Sequence, residues 1–230
     1  MTDTELDLRS RFTVETRAFT EGPLTLELIL PARPDELIDD SAFNVDERLP
    51  YWAELWPSAR ALARHLLRQP PPDGPVLELG CGLALPSLVL LSRGFEVLAT
   101  DYYREALEFA RANADRNALP ALPTRLLDWR HRPDGLGPYP TLLAADVLYE
   151  ERNALALAEL IPGLVRPGGS LLLADPGRTY RTRFEALMLA RGWSCEPEAT
   201  LVEPADEVAG GPVSHITIYR YRSPADPPNR

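Results

Sequence analysis

Val76-Leu77-Glu78-Leu79-Gly80-Cys81-Gly82-Leu83-Ala84-Leu85 is the stretch on which the fold turns. Its first four residues predict a short buried strand, and Gly80-Cys81-Gly82 a tight turn. Residues 83–93 have the apolar spacing of a helix packed on a sheet, and residues 95–101 read as a second strand ending in a carboxylate, Asp101. Together they make one βαβ unit with a ligand crevice at the carboxyl edge of its strands. Glycine suits the turn because a Cβ there would hold a ligand away from the backbone. An acid at the tip of the second strand can accept hydrogen bonds from both hydroxyls of a ribose. An adenosine-type cofactor is expected.

The flanks decide which one. A dinucleotide fingerprint needs Gly or Ala at the third position of G-x-G-x-x-G, where this chain has Leu85. What it has instead is Glu78-x-Gly80-x-Gly82, with an acid two residues before the first glycine. That pattern resembles motif I of the class I S-adenosylmethionine-dependent methyltransferases. Asp101 stands 19 residues past Gly82, where that family keeps its ribose-binding acid. The resemblance implies S-adenosylmethionine as cofactor. A glycine turn in some other doubly wound protein is the alternative.

At 230 residues the chain is long enough for one domain with an extension. Its two cysteines, Cys81 and Cys195, make neither a disulfide framework nor a metal site and suit a reducing cytoplasm. No apolar run approaches the roughly 18 residues of a membrane helix, and the polar start is unlike a signal peptide. The net charge of −10 comes without a basic stripe, which argues against nucleic acid and for a basic protein partner. All 24 basic residues are arginine; there is no lysine. Schiff-base chemistry, a phosphate-loop lysine and a lysine general base are thereby excluded.

Along the chain, residues 1–21 are polar and read as loosely ordered at first, and residues 24–30 alternate as a strand. A short helix is expected from residue 34 to 38, an acidic loop over 39–48, and a helix over 56–67 with Pro57 in its first turn. After the glycine turn come a helix at 104–117 and strands at 124–127 and 141–145. A helix at 153–164 is closed by the turn Pro167-Gly168-Gly169, followed by a strand at 170–174 and a helix at 180–191. Two late strands lie near 193–201 and 215–221. This alternation predicts an α/β fold: a Rossmann-like, doubly wound, seven-stranded and mainly parallel sheet with helices on both faces, behind a short N-terminal β/α extension. The extension covers residues 1–48, the catalytic domain 49–222, and a disordered tail 223–230.

Four acids then sit at one sheet edge: Glu78, Asp101, Asp128 and Asp146. Ligands bind at that edge in open α/β sheets; singly, each acid could be only a helix cap. Asp128 is expected to receive the adenine amino group and Trp129 to pack near the ring, unless Trp129 is an ordinary core aromatic.

Leu49-Pro-Tyr-Trp-Ala-Glu-Leu-Trp-Pro-Ser-Ala59, Leu127-Asp-Trp129 and Ala145-Asp-Val-Leu-Tyr149 resemble the seven-β-strand "family 16" methyltransferases, a group dominated by protein-lysine methyltransferases. With Asp175-Pro-Gly-Arg178, the set is similar to the branch that methylates the electron-transfer-flavoprotein β-subunit. That branch often carries Gly-Gly where this chain has Pro57-Ser58-Ala59. The resemblance implies a protein presenting a lysine as substrate; no metal is expected, and a monomer is expected. Trp56, Glu78, Gly80, Cys81, Gly82, Asp101, Tyr102, Asp128, Trp129 and Ala145 would hold the cofactor. Tyr51 and Trp52 would line the substrate mouth, though core packing would equally explain Trp52. Arg178 would meet an acidic group on the substrate or brace its loop.

Amide and exocyclic-amine methyltransferases carry Asn-Pro-Pro-Tyr after the fourth strand; here that place holds Asp146-Val-Leu-Tyr149. A carboxylate suits an amine that arrives as a cation. Asp146 is expected to orient the amine and pass its proton to water, and Tyr149 to wall the lysine channel; a helix cap is the alternative for Asp146. His65, His131 and His215 are scattered without ligand spacing. A small-molecule amine methyltransferase and a non-catalytic cofactor-binding module are the competing functions.

Overall fold

Hydrophobic strands flanked by helices build a seven-stranded sheet in the computed structural model, which describes residues 2–37, 50–70, 72–204 and 212–225. The acidic loop expected at 39–48, Leu49 of the PYWA segment and most of the expected tail lie outside the described residues. The elements are α1 (Asp3–Arg11), β1 (Val14–Glu21), β2 (Leu24–Pro31), α2 (Pro57–Arg68), β3 (Val76–Leu79), α3 (Leu85–Ser92), β4 (Val97–Asp101), α4 (Arg104–Arg116) and β5 (Thr124–Leu126). They continue as β6 (Tyr139–Ala145), α5 (Glu151–Leu164), β7 (Val165–Asp175), α6 (Arg181–Leu189), β8 (Ser194–Pro204) and β9 (Val213–Arg222). Short 3-10 turns occupy Pro34–Leu37 and Tyr51–Ala53. The sheet order is β5-β4-β3-β6-β7-β9-β8, with β9 antiparallel to both β7 and β8 and every other pair parallel. The order reverses between β3 and β6, and the ligand crevice of a doubly wound sheet opens at that point. β3 is buried along its whole length, as a central parallel strand must be.

Each face of the sheet carries its own apolar core. One collects α2, α3 and α4 with the N-terminal hairpin; the other collects α5 and α6 around Phe184, Met188 and Tyr221. Residues 2–21 are ordered, contrary to the expectation from the polarity of the N-terminal segment. Leu8 and Phe19 enter the first core, and Glu5, only 1% exposed, accepts hydrogen bonds from Arg9 and Arg116. That ion pair, a second from Arg11 to Glu108 and the Phe12–Phe109 ring contact tie α1 to α4. The β1–β2 hairpin is docked by two asparagines. Asn113 exchanges hydrogen bonds with both backbone groups of Ile29, and Asn117 does the same with Glu27. Two strand residues rise about 6.7 Å and four helical residues about 6 Å, so side chains one turn apart on α4 match alternate residues of an edge strand. The edge of β2 is thereby satisfied rather than left open to another chain.

Two further boundaries differ from expectation. The turn expected at Pro167-Gly168-Gly169 does not separate α5 from the next strand: α5 runs directly into β7 at Val165. Ser223 and Pro224, expected in the tail, are fastened by backbone hydrogen bonds to Gly169 and Gly168.

Candidate active site

β3 ends in a turn that only unusual backbone angles can make. Gly80 (φ +64°), Gly82 (φ +50°) and Ala84 (φ +61°) are all left-handed. A Cβ on Gly80 would stand 2.9 Å from Cζ2 of Trp129, and one on Gly82 would stand 3.2 Å from the carbonyl oxygen of Trp52. The turn is stitched to β4: Cys81 N donates to Thr100 O, and Gly82 N donates to Asp101 Oδ2 at 2.9 Å. Asp101 also accepts from Tyr103 N. Burial pushes Asp101 up, and the backbone donors pull it back toward its ordinary value.

Glu78 lies beneath this turn, and burial lifts its carboxyl to about 8 despite hydrogen bonds from Ser87 N and Ser87 Oγ. Between the unfolded value of 4.5 and about 8, the folded chain holds a proton that the unfolded chain does not. The slope of unfolding free energy with pH is therefore negative, and this group withdraws stability as pH rises through that window. We expect the Tm of the protein without cofactor to fall from pH 5 to pH 8. Glu78→Gln should reduce that fall by roughly 3 °C or more; melting curves of the two proteins across the window, parallel at every pH, would contradict it.

Every site residue expected from the sequence lines one cavity of about 350 Å³ at the carboxyl edge of β3, β4 and β6. Asp146 follows β6 in a left-handed conformation (φ +58°) and is only 7% exposed. Its Oδ1 accepts from Arg178 Nε at 2.6 Å and its Oδ2 from Ser58 Oγ at 3.2 Å. Ser58 lies in the first turn of α2, where the helix dipole favours an anion. Trp56 is fixed by donating its indole N–H to Tyr51 O at 2.7 Å, and the Tyr51 ring meets the Tyr149 ring edge-on at 5.0 Å. Burial pushes the Tyr149 phenol up to about 12, so it remains a neutral hydrogen-bonding group.

Three expected roles need correction or a choice. The Asp128 carboxylate is already held by Arg130, with His131 beside it, and the Arg130 guanidinium holds its pKa well below the usual carboxylate range. Adenine cannot be its sole partner. The Trp52 ring packs in the core against Phe109 (5.6 Å) and Tyr103 (6.4 Å), as its core-packing alternative expects, while the residue also lines the cavity. Arg178 braces Asp146. Of the histidines, His65 is buried beside Glu198 and His215 is exposed. Ser58 and Ser87 are the functional contacts that sequence reasoning does not reach. In the sequence Ser58 stands out only as a departure from Gly-Gly, and nothing in its spacing predicts contact with Asp146.

The cavity fits a nucleoside. Its glycine turn leaves no room for side chains, an acid stands at the tip of β4, and Trp129 Nε1 is buried without a partner among the described residues. Residues 50–186 match the model of a family described as lysine methyltransferase. The chain belongs to that family. The cofactor of the fold is accordingly S-adenosylmethionine. The chain is 33% identical to the electron transfer flavoprotein beta subunit lysine methyltransferase of Xenopus laevis over 133 residues, 56% of this chain and 53% of the relative. It is 34% identical to a histone-arginine methyltransferase of Homo sapiens over 106 residues, 43% of this chain and 56% of the relative. The chain thus spans about half the length of the curated relatives it matches. Among solved structures, magnesium protoporphyrin IX methyltransferase from Synechocystis PCC 6803, with bound SAM, superposes with a TM-score of 0.54 at 17% identity, covering 72% of this chain and 78% of that one. The shared feature there is the fold. No helix among the described residues is long and apolar enough to cross a membrane, and they contain no cluster of three or more candidate metal ligands.

Proposed function

We propose that this chain transfers a methyl group from S-adenosylmethionine to the side-chain amine of a lysine in a protein. The observation that carries the reading is Asp146, a buried carboxylate set between the glycine-turn cavity and the aromatic wall of Trp56, Tyr51 and Tyr149. Membership of a lysine methyltransferase family supports the same substrate. Gly80, Gly82 and Asp101 would hold the cofactor's amino-acid and ribose portions, and Trp129 would flank its base. When bound, the cofactor supplies a sulfonium-activated methyl.

The chain's own residues then solve a protonation problem. A lysine has a reference pKa near 10.4, so at neutral pH roughly one in a thousand or fewer is a nucleophile. Asp146 attracts and orients the ammonium, then receives its proton and relays it to water. Tyr149, neutral at working pH, donates or accepts a hydrogen bond without competing for the proton. Alignment of nitrogen, methyl and sulfur supplies most of the remaining rate. Tyr149→Phe should lower kcat about tenfold, the size of one hydrogen bond to a charged centre, with cofactor affinity little changed. Equal turnover in the two proteins would remove Tyr149 from the reaction.

The direct test is methyl-labelled S-adenosylmethionine with lysate of the source organism, followed by amino-acid analysis of labelled protein. Label in methyllysine is the expected result. Label in methylarginine would move the substrate to the chemistry named for the human relative. Label confined to small molecules would favour a metabolite amine.

A further inference from the structure

Arg60 and Arg178 are both arginines beside the active site, and they are used differently. All three nitrogens of the Arg60 guanidinium are engaged, by Glu203, Leu55 O and Pro204 O, and its side chain is 8% exposed. Such an arginine is built into the structure. Arg178 makes a single side-chain hydrogen bond among the described residues, Nε to Asp146 Oδ1, and its side chain is 35% exposed. Its guanidinium carbon lies 5.8 Å from the centre of the Trp56 ring. A carboxylate on one side and an indole face on the other form a seat for a cation of any origin. The backbone beneath is fixed independently: Gly177 N and Arg178 N both donate to Asp175 Oδ1. The side chain can leave while its loop stays.

The seat also lies at a junction. A second cavity of about 970 Å³ opens on the other side, between the β1–β2 hairpin and the start of β9, with Thr16, Pro31 and Ser214 in its wall. Glu54, Leu55, Trp56, Asp146 and Arg178 line both this cavity and the glycine-turn cavity. We propose that the second cavity is the port for the substrate's basic side chain, and that the Arg178 guanidinium occupies the seat which that side chain takes over. This rests on the methyl-transfer reading for its chemistry, though the seat itself does not. Substrate binding then exchanges one cation for another on Asp146, so the carboxylate is never left bare, and a neutral amine or amide gains nothing by entering.

The absence of lysine from the chain gives this a clean test. In Arg178→Lys the ammonium nitrogen stands as many bonds from Cα as the guanidinium carbon does in wild type. The variant has one lysine, placed in the seat. Incubated with S-adenosylmethionine, it should acquire methyl on residue 178 at a rate independent of protein concentration. The nitrogen lone pair forms the N–CH3 bond as the methyl–sulfur bond breaks onto sulfur, and the proton leaves through Asp146 to water. The second measurement is titration of n-butylammonium into cofactor-loaded wild type and Arg178→Ala. Removing the competitor should tighten binding by about two- to fivefold, the scale of a partly exposed ion pair. Equal affinities in the two proteins would overturn the proposal. A gain in affinity with residue 178 unmethylated would leave the seat standing and count against methyl transfer to an alkylamine.

Discussion

Asp146→Asn is expected to cut methyl transfer roughly a hundredfold or more, the ordinary cost of losing a positioned acid–base group. The substitution is chosen for the backbone. Asp146 is left-handed (φ +58°), a conformation that asparagine tolerates and alanine resists, so Asp146→Ala would mix strain with chemistry. In the variant, one oxygen remains to accept from Arg178 or Ser58, but the negative charge that seats an ammonium and takes its proton is gone. Loss of stability should be small, about 1 kcal/mol, because Arg178 is partly exposed and can turn to water when its partner is neutral. The checks are kcat on the labelled protein substrate between pH 6 and 10, with Tm alongside. Turnover equal to wild type at every pH would leave Asp146 as a brace for α2 and Arg178, and the proton would need another route.

That the same carboxylate also braces α2 marks where the sequence stops being legible. The βαβ unit, the seven strands and the residues around the cavity follow from local signals: glycines between an apolar strand and an apolar helix, and acids at strand ends. Those signals are short in sequence, which is why 83–93 and 95–101 land within two residues of α3 and β4. The N-terminal segment fails by the same logic. α1 has almost no apolar face, and its polar attachment includes Glu5 meeting Arg116, 111 residues away. Ser58 likewise meets Asp146 across 88 residues. Neither pairing leaves a local trace. Asp128 and Arg178 show the same limit: an ionised side chain near a strand end can be engaged by a neighbour, and only geometry shows that Arg130 holds the one and Asp146 the other.

Gly80→Ala should raise the dissociation constant for S-adenosylmethionine by roughly ten- to a hundredfold, or about 1.4–2.8 kcal/mol. Two costs combine. A left-handed alanine is strained by about 1 kcal/mol or more. The added Cβ would also stand 2.9 Å from Trp129 Cζ2 and 3.2 Å from Val147 Cγ1. The chain can relieve both by tilting Trp129 and opening the turn, but Trp129 lines the cavity and the turn carries the Gly82 N–H that Asp101 accepts. Relief in the empty protein must therefore be reversed when the cofactor binds. Gly94→Ala separates the two costs. Gly94 is left-handed too (φ +80°), but it lies between α3 and β4, with nothing within 4 Å of its added Cβ. It should lose comparable stability to strain and keep its cofactor affinity. Calorimetric titration of both variants, with their melting temperatures, decides the matter. If Gly94→Ala loses as much affinity as Gly80→Ala, general loosening of the fold accounts for the effect, and the close approach of Trp129 to the glycine turn has no special part in holding the cofactor.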